Sequence, residues 1–72
     1  MDTNQNKLKN KVEQVLKFKI KNFNKFYDGF SFTINNELLA YKSAYIYRHC
    51  KKVLISFSEN LKTWSVNIYI EK

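Results

Sequence analysis

The pattern that most constrains this chain is a period-two alternation through its last third. Trp64, Val66, Ile68 and Ile70 alternate with Ser65, Asn67 and Tyr69, and Val53, Ile55 and Phe57 keep the same rhythm upstream. Successive side chains of a strand point to opposite faces, so this pattern makes strands with one apolar and one polar face. Phe30, Phe32 and Ile34 repeat it, with Ser31 and Thr33 between them. A sheet with one apolar face needs a second layer to cover it.

The N-terminal third can supply that layer. Leu8, Val12, Val15, Leu16, Ile20, Phe23, Phe26 and Tyr27 follow the i, i+3, i+4 spacing of an amphipathic helix. This spacing predicts one helix running up to Asp28-Gly29, with Gly29 as the residue just past its end. Two residues resist: Lys19 falls inside the apolar stripe and Phe18 outside it. On the helix, Phe18 becomes an exposed contact candidate. Otherwise the helix stops near Lys17 and a strand begins.

Asn35-Asn36 suits a tight turn, because Asn tolerates the left-handed conformation. Leu38–Arg48 is rich in Tyr and reads as a strand; the favoured register has Tyr41, Ser43, Tyr45 and Tyr47 facing the helix and Lys42 and Arg48 on the open face, and the other turns the tyrosines outward as an aromatic platform beside Tyr69. Short connections between successive strands favour a meander. The expected architecture is α+β: one domain over residues 1–72, an N-terminal amphipathic helix packed on a three- or four-stranded antiparallel meander sheet. Residues 1–6, being polar, are expected to be mobile. The expected core is Leu16, Ile20, Phe23, Phe32, Ile55, Phe57, Trp64, Val66 and Ile68.

Composition bounds what this domain can do. At 72 residues it buries only about 60% of its unfolded surface, which makes a homodimer one expected way to bury more. Aromatic residues, 17% of the chain, each bury a large area and make a compact core attainable. A single Cys excludes an internal disulfide. Met1–Lys7 lacks the apolar run of an export signal, and nothing approaches the roughly 18 apolar residues of a membrane span, so a cytoplasmic protein without a membrane partner is expected.

The net charge is +7, and all but one of the 13 basic residues are Lys. Lys, Asn and Ile enrichment is also what A/T-rich coding yields without selection for binding. The lysines cluster, however. Between Lys7 and Lys25 the only acid is Glu13, and between Lys42 and Lys52 there is none. Lysines neutralise phosphates and aromatics stack on unpaired bases, which points to RNA or a ribonucleoprotein as partner. One Arg and no helix-turn-helix pattern argue against sequence-specific duplex readout. The expected contacts are Lys17, Phe18, Lys21, Lys25, Lys42, Arg48, Lys51, Lys52 and Tyr69.

No catalytic, cofactor or metal motif is visible, so a non-catalytic binding protein without cofactor is expected. The six acids are scattered, and there is no Gly-rich phosphate loop. Two alternatives stand beside RNA binding. One is a phage- or mobile-element-encoded inhibitor of a host defence nuclease, of anti-CRISPR type, acting by protein–protein contact. The other is a metal-independent ribonuclease of toxin type built on Tyr45, Tyr47, Arg48, His49, Lys51 and Lys52. His49 and Cys50 are adjacent, and Lys51 and Lys52 are expected to lower the thiol pKa.

Overall fold

The structure, a computed structural model, describes residues 3–70, with side chains over residues 6–70. Six elements follow in order: α1 (Thr3–Leu16), β1 (Lys21–Phe26), β2 (Gly29–Ile34), α2 (Glu37–Ile46), β3 (Lys52–Ser58) and β4 (Thr63–Tyr69). The strands form one antiparallel sheet in the order β1-β2-β4-β3. The fold is therefore α+β with an N-terminal helix on an antiparallel sheet, as expected. The meander is not formed. β4 lies between β2 and β3, and the connection between those two strands is a second helix.

The first helix ends at Leu16, well short of Tyr27. Its last turn closes with Lys17 N–H donating to the Glu13 carbonyl at 2.8 Å, and Lys17 then turns left-handed at φ 72°. A non-glycine residue there costs about 1–2 kcal/mol. The Glu13 carboxylate offsets this by accepting the Ile20 N–H at 3.0 Å, which aims the chain into β1. The one acid of the basic N-terminal stretch thus has a structural role. Lys19 lies 3.9 Å from Glu13 with its side chain 92% exposed, so that ion pair adds little. At the other end α1 begins at Thr3, within the polar stretch 1–6, of which residues 1–2 lie outside the described region.

A bulge corrects the face pattern of β1. Lys21 pairs with Thr33 but Asn24 with Ser31, so one extra residue sits between them. Asn22 adopts φ 52° and donates from Nδ2 to Thr33 Oγ1 at 2.9 Å; Thr33 Oγ1 donates to the Lys21 carbonyl at 3.2 Å. The bulge lets Phe23 reach the core and stack on Phe30, with ring centroids 5.6 Å apart. Asp28 belongs to the β1–β2 turn and is not at a helix end. Gly29 is required by close approach, since a Cβ there would meet the Ile68 carbonyl oxygen of β4 at 1.9 Å.

The segment read as a Tyr-rich strand is α2. Asn36 is its N-cap: Oδ1 accepts the Leu39 N–H at 3.1 Å, and Glu37 follows in the first turn. Ala40 and Ser43, both buried and small, let the helix lie close to the sheet. Ser43 Oγ donates to the Leu39 carbonyl at 2.8 Å, which satisfies its buried hydroxyl.

The core sits between the helices and one sheet face. Val12, Leu16 and Ile20 meet Phe30, Phe32 and Ile34 of β2 and Val66 and Ile68 of β4. Each such side chain contributes roughly 1.5–3 kcal/mol by burial. Of the expected core, Leu16, Ile20, Phe32, Val66 and Ile68 are buried, while Phe23, Ile55 and Trp64 are half-buried. Phe57 is 45% exposed, because β3 is an edge strand.

Candidate functional site

Residues directly opposite across a sheet share a face. The registers therefore define what the open face, turned away from both helices, presents. One row runs Phe26, Gly29, Tyr69, Lys52; the next Asn24, Ser31, Asn67, Leu54; the third Lys21, Thr33, Ser65, Ser56. None of these residues is acidic. Apart from the exposed Leu54 on β3, the middle of this face is made of hydroxyls and amides, which donate and accept hydrogen bonds without charge.

Aromatics gather at one end of this face. The Phe26 and Tyr69 rings lie 5.4 Å apart between centroids at 49°, and Lys52 Nζ sits 6.0 Å from the Tyr69 ring centroid. A shallow concavity of about 320 Å³ beside them is lined by Asp28, Lys51, Lys52 and Tyr69. Asp28 is the one acid there. Its carbonyl accepts the Ile70 N–H at 2.9 Å, tying the β1–β2 turn to the end of β4.

The expected contact residues divide among several surfaces. Lys51, Lys52 and Tyr69 come together. Lys21 shares their face but stands at the other end of the sheet. Lys25 is opposite Phe30 and so belongs to the helix side, where it lines a depression with Leu8, Phe26 and Ile70. Lys17 lies beyond the end of α1 and Lys42 is exposed on α2, behind the sheet. Phe18 corrects the expectation: it is half-buried against the core and does not project from a helix. Arg48 folds back on α2. Its guanidinium carbon lies 4.0 Å from the Tyr45 ring centroid, and Nη1 donates to the Tyr45 carbonyl at 2.7 Å.

The tyrosines expected to face the helix do otherwise. Tyr41 and Tyr45 are exposed, and Tyr47 is half-buried edge-on to Phe30 at 5.6 Å. His49 stacks beside Tyr47 at 6.5 Å and lines a cleft between the helices with Leu8, Val12 and Ile46. Lys52 and Tyr69 lie on the opposite side of the sheet, so the basic and aromatic residues of 45–52 do not converge. Burial pushes the Cys50 thiol above its ordinary value, so the lowering expected from Lys51 and Lys52 does not win. Burial, and the nearby Cys50, push the Tyr47 phenol up as well.

Phe26, Asn24 and Asn67 were missed as candidates. The alternation that put Tyr69 on a polar face already carried Asn67 with it. Phe26 and Asn24 were absorbed by the overlong helix. Among the described residues, no three of His, Cys, Asp and Glu gather as a metal site, and no helix is long and apolar enough to cross a membrane. Comparison with protein-family models, curated proteins and solved structures finds no match.

Proposed function

We propose that this protein is a non-catalytic binding module for single-stranded RNA and that the open sheet face is its binding surface. One observation carries the reading: the Phe26–Tyr69 ring pair stands beside Lys52 on a sheet face whose three cross-strand rows hold no acid, with Asp28 the one acid at its margin, in a chain with net charge +7. Unpaired bases stack on such rings, and a neighbouring ammonium takes the phosphate between them. The Ser, Thr and Asn floor can meet base edges and ribose 2′-hydroxyls. Lys21 at the far end of the face can hold a second phosphate.

The test is fluorescence anisotropy with a labelled single-stranded RNA. Tyr69→Ala and Phe26→Ala should each weaken binding by roughly 5- to 100-fold, the loss of about 1–3 kcal/mol per stacked base. Lys52→Ala should lower the slope of log affinity against log salt by about 0.7. Lys42→Ala, behind the sheet, should change affinity little. Binding that ignores both aromatic substitutions, or that does not fall with salt, overturns the reading.

A further inference from the structure

We propose that β3 is the seam of a homodimer, pairing antiparallel with β3 of a second copy about a twofold axis through Ile55. The inference does not rest on the RNA reading. It begins from the two edges of the sheet. β1 carries the devices that discourage edge pairing: a bulge, a left-handed Asn22 and lysines at 21 and 25. β3 carries almost none. It is seven residues long, follows β4 without a register shift, and has one Lys, at its first position.

The strand is complementary to itself in one register. A twofold axis at Ile55, perpendicular to the sheet, keeps each copy's helices on the same side. Val53 then faces the second copy's Phe57, Leu54 faces Ser56, and Lys52 faces Ser58. Just beyond the strand ends, Lys51 of each copy stands opposite Glu59 of the other, giving two opposite-charge pairs. Sliding by two residues either way sets Glu59 against His49 or Val53 and loses both pairs. The two Lys52 side chains never meet in the favoured register.

The apolar surface next to this edge has no cover among the described residues. Trp64 touches Phe57 of β3 at 4.8 Å and Tyr41 of α2 at 5.9 Å, and Tyr41 is 53% exposed. Leu38, Tyr41 and Tyr45 make an exposed stripe along α2 at i, i+3, i+7 spacing. α2 packs on β4 and β3. With strands spaced about 4.8 Å apart, two copies of α2 would lie about 10–15 Å apart across the seam, and Tyr41, seated on Trp64, borders that gap.

The experiment is light scattering and sedimentation velocity on the full chain, free of nucleic acid, from micromolar to millimolar concentration. The expected result is a mass rising to twice that of the chain. Lys51→Glu and Glu59→Lys each set like charges opposite at both ends of the seam, and each should weaken the dimer about three- to thirtyfold. The double exchange should restore it. Both side chains are exposed, and a cooperative melt of each single variant confirms that it is folded. Ser56→Lys, which arms β3 as β1 is armed, should also weaken association. A chain monomeric throughout that range overturns the proposal, as do single charge reversals that dimerise like the parent.

Discussion

β1 and β3 close the two edges of one sheet in opposite ways. β1 is bulged, lysine-bearing and tied to β2 by the Asn22–Thr33–Lys21 hydrogen bonds; β3 is regular and apolar on its helix side. Both belong to a domain whose fully buried side chains come mainly from the two central strands and α1. The difference teaches that an edge can be finished within the chain or left to a partner. In β1 the irregularity serves the monomer, because the bulge sends Phe23 to the core. In β3 the same side of the strand leaves Phe57 half outside.

The sharpest way to break this comparison is to truncate a central and an edge ring. Phe32→Ala should cost about 3–5 kcal/mol in urea unfolding, and Phe57→Ala under about 1 kcal/mol when measured at a concentration where the chain is monomeric. Equal costs would mean that β3 is covered after all. Next in size is Gly29→Ala. Its methyl group has no room against the Ile68 carbonyl, so β2 and β4 must shift apart, at about 1–3 kcal/mol by the same measurement. Glu13→Gln should cost about 1.5 kcal/mol by weakening the charge-assisted bond to the Ile20 N–H that starts β1. If it leaves stability unchanged, the entry to β1 does not depend on that carboxylate.

The smallest effect is a pH dependence. Cys50 and Tyr47 both have folded pKa values raised above their unfolded ones, so the folded state holds their protons more tightly. The thiol's contribution is full below its ordinary value of 9.0 and the phenol's below 10.0, and each is lost as pH rises from there through the raised folded value. Thermal melts should therefore show the midpoint falling on the alkaline side of these ordinary values. Cys50→Ser should remove the thiol's share of that decline.

The strands β2 and β4 were legible residue by residue, because both are central and their alternation is uninterrupted. α2 was not. Its buried flank is built from Ala40 and Ser43, while Leu38, Tyr41 and Tyr45 lie outside, so apolar residues occur on both faces and the helical stripe disappears. The legible signal was the cap: Asn36, which the sequence pattern assigns with Asn35 to a tight turn, followed by Glu37 in the first helical turn. β1 was absorbed into the first helix because Leu16, Ile20 and Phe23 continue the helical spacing. The break falls at Lys17, where a left-handed residue other than Gly leaves no local mark.

The sequence alone determined that the chain forms a basic, aromatic-rich α+β domain with an N-terminal helix over an antiparallel sheet. Period-two alternation and net charge are local or additive properties, so they can be read from residues in order. Only the tertiary structure decided which of those residues share a surface. The face a side chain takes depends on register. A single bulged residue in β1 and the insertion of β4 beside β2 set that register through contacts between distant parts of the chain. Phe26 thereby meets Tyr69, Phe18 turns inward, and β3 is left as the unguarded edge.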